Sequence, residues 1–227
     1  MAKIAVILSG CGVYDGSEIY ETTLTLLALD RLGAEAQCMA PNIEQVGVIN
    51  HLTGNEMTQS RNVLVESARL ARGDIIDLGE ANPESYDGVI ISGGFGAAKN
   101  LSDHAVEGVG MKINDRLISF VTAIHLARKP VGLISMATTL GPKLFGNKLF
   151  DNTLFEKGVL CTVGDDKTIA SAINEMGGIH ENCPANEVVV DERLLVVSTP
   201  AYMLAERISE AAEGIEKLVD EVLYMTK

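Results

Sequence analysis

The stretch Asp87-Gly88-Val89-Ile90-Ile91-Ser92-Gly93-Gly94-Phe95-Gly96 runs from a short apolar segment straight into a glycine-rich turn. An unbroken apolar run of this length, ended by glycines, reads as a strand buried on both faces. Two other segments repeat the arrangement. Lys3–Ser9 leads into Gly10-Cys11-Gly12, and Pro130–Ile134 leads into Ser135-Met136-Ala137. Strands of this kind belong in a parallel sheet covered on both sides.

The intervening segments supply the cover. Residues 17–32 place Ile19, Thr23, Leu26 and Leu27 at helical spacing, with Gly33 as a stop. Ala34–Ala40 reads as a strand ended by Pro41, Asn62–Arg72 as a helix closed by Gly73, and Ile75–Leu78 as a short strand. Residues 111–128 and Met136–Phe145 read as helices, Val159–Val163 as a strand and Lys167–Met176 as a helix. Glu187–Val190 and Leu194–Ser198 pair as a hairpin across Asp191-Glu192-Arg193. Leu204–Tyr224 forms a closing helix with Ile208, Ala211, Ala212, Ile215, Leu218, Val219 and Val222 inward. Strands alternating with amphipathic helices predict an α/β fold built on a parallel sheet. There is no internal repeat or linker, so residues 1–227 are expected to form a single domain.

Bulk properties narrow the function. The chain has 227 residues, of which 47% are hydrophobic and 22% charged, enough for a sizeable core. Its formal net charge of −13 repels nucleic-acid phosphates and anionic membranes, so neither is expected as a partner. No stretch approaches the ~20 apolar residues of a membrane helix. The run Ala5-Val6-Ile7-Leu8 is too short for a signal-peptide core, and a cytoplasmic protein is expected. Cys11, Cys38, Cys161 and Cys183 are scattered, form no Cys-x-x-Cys pair and stand at no metal-ligand spacing from a histidine. No metal site is expected, and each cysteine alone reads as a buried thiol.

Ligands of open parallel sheets bind beyond the carboxyl ends of the strands. The glycines Gly10, Gly12 and Gly16 miss the dinucleotide spacing by one residue, and Glu18 would repel a pyrophosphate there. Asp15 and Glu18 stand at capping-box spacing, so Glu18 is a helix cap or a catalytic acid on equal terms. Gly93-Gly94 is a tight turn or an oxyanion site, and Ser135 alone reads as a helix cap.

Taken together these loops resemble the glutamine-amidotransferase-like superfamily of PfpI-type peptidases, deglycases and glyoxalases, and within it the ElbB glyoxalase group. The resemblance rests on Val6–Glu18, Val48-Ile49-Asn50-His51-Leu52-Thr53-Gly54, Gly93–Leu101 and Thr199-Pro200-Ala201-Tyr202-Met203. It implies a flavodoxin-like three-layer sandwich of the class I glutamine amidotransferase type, a homodimer and no cofactor. It implies a nucleophile in a strained elbow that attacks the aldehyde of a small dicarbonyl, which is rearranged to a hydroxy acid. It assigns proton handling to Glu18, and oxyanion or substrate contacts to Gly93, Gly94, Met136 and Asn100.

The chain departs from the family where it matters most. The elbow nucleophile of the family is cysteine, whereas position 135 is serine, and Thr138 and Thr139 beyond it differ as well. A serine hydroxyl is far less acidic than a thiol and needs a dedicated base. Weak or lost glyoxalase activity is therefore expected, with a silent metabolite-binding relative or an interaction protein as alternatives. Cys11, flanked by glycines after the first strand, is either a substitute nucleophile or a structural thiol.

Overall fold

The protein, described here from a computed structural model, is defined for residues 1–146 and 158–227. Its strands are β1 (Lys3–Ile7), β2 (Glu35–Ala40), β3 (Ile75–Asp77), β4 (Gly88–Ile91), β5 (Val131–Ile134), β6 (Leu160–Cys161), β7 (Ile179–His180), β8 (Val189–Asp191) and β9 (Val196–Thr199). Seven of them form one sheet in the order β3-β2-β1-β4-β5-β9-β8, parallel throughout except for the antiparallel β8/β9 hairpin. β6 and β7 make a separate parallel pair. The helices are α1 (Ile19–Arg31), α2 (Val63–Leu70), α3 (Gly96–Lys99), α4 (His104–Glu107), α5 (Asp115–Leu126), α6 (Gly141–Phe145), α7 (Lys167–Glu175) and α8 (Ile208–Met225).

Alternation along the strands divides the interior into two cores. Ala5, Ile7, Val89, Ile91, Val131 and Leu133 face Leu117, Phe120 and Ile124 of α5. Ile4, Val6, Ile90 and Val197 face Leu29 of α1 and Ile215, Leu218 and Val222 of α8. Each such side chain contributes roughly 1.5–3 kcal/mol by leaving water, which makes the three-layer sandwich the stable solution. The expected α/β fold of flavodoxin-like type is the fold observed.

Three expectations need correction. The first concerns which face of α1 is buried. That face is Glu21, Thr22, Thr25, Ala28 and Leu29, whereas Ile19 and Leu27 are 43% and 39% exposed. The buried set also has helical spacing, but its first three members are polar, so a search for apolar residues picks the wrong stripe. Their polar atoms are accommodated: the Thr22 hydroxyl bonds Ser92 Oγ at 2.7 Å, and that of Thr25 donates to the Glu21 carbonyl. The second concerns residues 136–145. These are not one α-helix, because a 3-10 turn over Ser135–Leu140 precedes α6, whose first turn carries Pro142. Thr138 and Thr139 fit this tight turn by donating their hydroxyls back to the Leu133 and Met136 carbonyls. The third concerns α8, where Ile208 lies at the exposed first turn and the inward stripe begins at Ala211.

Candidate functional site

The carboxyl ends of β1, β4, β5 and β9 deliver four turns to one edge of the sheet. β5 ends with Ile134 extended, and Ser135 follows at φ 54°, a left-handed conformation rare for any side chain other than glycine. Holding a serine there costs of order 1–3 kcal/mol, which the surrounding packing imposes. Ser135 is 5% exposed. After β9, Ala201 repeats the device at φ 45°.

Glu21, on the first turn of α1, is sealed between these two strained turns. Its Oε1 accepts the Tyr202 N–H at 3.1 Å. Its Oε2 is buried and receives no well-formed hydrogen bond among the described residues. That oxygen faces the double glycine and the elbow: a Cβ added to Gly93 would lie 2.2 Å from it and 2.7 Å from Ser135 Cβ. Burial, and then the charge of Glu18, push the Glu21 carboxyl up to about 8; the Tyr202 N–H, the Ser135 hydroxyl and the Gly93 N–H oppose the shift without reversing it. At neutral pH the group is therefore mainly a neutral acid. Sequence reasoning missed Glu21. The signal was present in the polar stripe of α1 and in the string Thr199–Met203, which follows β9 to the same edge.

Glu18 has a different task. Its Oε2 accepts the Glu21 N–H at 2.7 Å and so caps α1, and its own N–H donates to the Gly93 carbonyl at 3.0 Å. Burial raises its pKa against the pull of the Glu21, Tyr20 and Ile19 N–H groups. The carboxylate beside Ser135 is thus Glu21, not Glu18. Glu18 acts on the site through its charge.

The other expected residues separate into two groups. Gly93 and Gly94 are in place: Gly94 adopts φ 95°, and a Cβ there would lie 2.4 Å from the Gly16 carbonyl oxygen and 2.5 Å from the Glu18 nitrogen. Met136, next after the elbow, is buried and borders a cavity shared with Tyr14, Phe95 and Lys99. Asn100 is a clamp. Its Nδ2 donates to the Ser9 and Asp15 carbonyls and its Oδ1 accepts the Val46 N–H, so both ends of the amide tie loops together and face no substrate. Cys11 lies among the charged groups Glu66, Arg69, Asp15 and Arg61. Burial, then Glu66, raise its thiol, and Arg69 and Arg61 oppose the shift without reversing it, so the thiol is not activated on balance. The two histidines nearest or beyond the elbow in sequence are engaged elsewhere: His125 packs edge-on against Phe145, and His180 Nε2 accepts the Val163 N–H.

A mostly parallel sheet with a side chain held at positive φ in a strand-to-helix elbow defines the glutamine-amidotransferase-like class of α/β proteins. No family model matches the chain. It is 40% identical to the human glutamine amidotransferase-like class 1 domain-containing protein 3, mitochondrial, and 39% identical to the rat ES1 protein homolog, mitochondrial, in each case over 99% of this chain and 84% of the relative. The crystal structure of an isoprenoid biosynthesis protein with amidotransferase-like domain from Ehrlichia chaffeensis superposes with a TM-score of 0.90 at 32% identity, covering 100% of both chains. A DJ-1 superfamily protein from Salmonella typhimurium shares the fold alone, with a TM-score of 0.54 at 22% identity over 100% of this chain and 89% of that one. The chain belongs to the glutamine amidotransferase-like family that includes the ES1 proteins. The cytoplasmic placement expected from the sequence is overturned by these relatives, which carry mitochondrial names.

Proposed function

We propose that the chain is a glyoxalase-like protein of the ElbB type whose reacting pair is Ser135 and Glu21, with turnover held low by the oxygen nucleophile. The observation that carries this reading is the dry Glu21 carboxyl, set against a strained elbow serine and a double glycine. A carboxyl titrating near 8 is matched to proton transfer at neutral pH. Tyr202 occupies Oε1, which leaves Oε2 to hold the proton on the side of the elbow.

In the proposed reaction, Ser135 Oγ attacks the aldehyde carbon of a 2-oxoaldehyde as its proton passes to the aldehyde oxygen, giving a hemiacetal. In this scheme the backbone N–H groups of Gly94 and Met136 steady the developing oxyanion. The hydrogen on the former aldehyde carbon then leaves as a proton, and a proton is returned to the neighbouring carbon by way of an enediol. Glu21 is the acid and base for both transfers. Water releases the resulting ester as a 2-hydroxy acid, so the net change is addition of water and internal redistribution of hydrogen. The slow step is the first, because the Ser135 hydroxyl is far less acidic than a thiol.

Consumption of glyoxal by the wild type, Ser135→Cys and Glu21→Gln tests the reading. Weak wild-type turnover is expected, with a gain of about tenfold or more on introducing the thiol and loss of both activities in the Glu21→Gln background. Wild-type turnover that ignores Glu21→Gln would overturn it. The weak acidity of the Ser135 hydroxyl also favours a second reading, a relative that binds the carbonyl compound without converting it. Inactivity of both the wild type and Ser135→Cys would select that reading.

A further inference from the structure

The cavity bordered by Met136, the residue after the elbow, is larger than glyoxal requires. It measures about 650 Å³ and is lined by Tyr14, Phe95, Lys99, His104, Met136 and Ile169, among others. This volume lies in the range of sites that enclose whole metabolites, roughly 300–1,000 Å³. Most of its wall is hydrocarbon or aromatic. Phe95 and Tyr14, exposed aromatic rings on this acidic chain, flank it from the β4 and β1 loops. Met136, the residue after the elbow, and Lys99 both line it, and Lys99 is the lone Lys or Arg among its described lining residues, in a chain of net charge −13.

Lys99 is held in place. Its Nζ donates to the Tyr14 carbonyl at 2.8 Å and stands 6.0 Å from the centre of the Phe95 ring. An ammonium has three donors, so this anchor leaves hydrogens for a ligand. His104 donates through Nδ1 to the Gly108 carbonyl, leaving Nε2 as its remaining polar atom. Hydrocarbon walls that carry one fixed cation describe a site for a molecule with an apolar body and an anionic group.

Building on the reading of Ser135 and Glu21 as the reacting pair, we propose that the site takes aldehydes with an apolar body and a carboxylate group. Lys99 reads the carboxylate, while Phe95, Tyr14 and Ile169 cover the body. Lys99 is then a specificity-determining residue.

Binding of 4-formylbenzoate and of its neutral counterpart 4-methylbenzaldehyde, measured by calorimetry, tests this without requiring turnover. The wild type should bind the carboxylate at least about tenfold more tightly, the gain from one charge-assisted contact in a partly solvated site. Lys99→Met should abolish the preference, Lys99→Arg should keep it, and Lys217→Met, on the outer face of α8, should leave it unchanged. Equal affinity for the two probes, no detectable binding of either, or a preference that survives Lys99→Met would overturn the proposal. If glyoxal is untouched by both the wild type and Ser135→Cys while the Lys99-dependent preference holds, the catalytic reading falls and the binding site stands. If turnover holds and the probes bind alike, only the proposal about Lys99 falls.

Discussion

Glu18 and Glu21 occupy the same turn of the same helix, yet they are chemically different groups. Glu18 is half-buried and its carboxylate bonds a backbone N–H, the ordinary work of a helix cap. Glu21 is sealed from water, held by one N–H at Oε1, and keeps its proton up to about pH 8. The two are coupled, because the charge on the cap is one of the forces that keeps its neighbour neutral. A carboxylate acquires unusual acidity from what closes over it, and here that cover comes from the β4, β5 and β9 turns, all distant in sequence.

The largest test of the contrast uses pH. Folded Glu21 holds its proton to about pH 8, while the same residue in the unfolded chain ionises near pH 4. Its contribution to stability is therefore greatest below that lower value and is lost as pH rises to about 8. Relative to wild type, Glu21→Gln should gain on the order of a few kcal/mol between pH 5 and pH 8, measured by urea unfolding of both proteins at each pH. Parallel profiles for the two proteins would break the comparison.

A smaller effect is expected at the glycine on which the site converges. Gly93→Ala puts a methyl group into Glu21 Oε2 and Ser135 Cβ, and should cost about 2–3 kcal/mol, seen as an earlier denaturation midpoint. Least affected should be the cap. Glu18→Ala is expected to lose about 1 kcal/mol. Because it also removes a charge beside Glu21, it should move the pH-dependent step of Glu21 downward, which the same unfolding series reads.

The residues that could be read in advance share a property. Val89, Ile90 and Ile91 form a strand because each is apolar, and Gly93 and Gly94 end it because only glycine allows such close approach to Glu21 and to the Gly16 carbonyl. These are local facts, carried by residue type. The elbow at Ser135 was legible through its resemblance to a family. Glu21 was not, because a glutamate on a helix is by default a solvated residue, and nothing near it in the chain says otherwise. Asn100 misled for the opposite reason. Its place in a distinctive motif suggested contact with substrate, but its amide is consumed by Ser9, Asp15 and Val46, which only folding brings to it.

The sequence by itself determined the α/β sandwich, the strand-end loops and the presence of an oxygen where the family carries a sulfur, since periodicity, glycine placement and residue identity are properties of the chain. Tertiary structure alone decided which carboxyl serves the elbow and which charges surround Cys11. Protonation follows burial and neighbouring charge, and both are set by segments that meet only in the folded molecule.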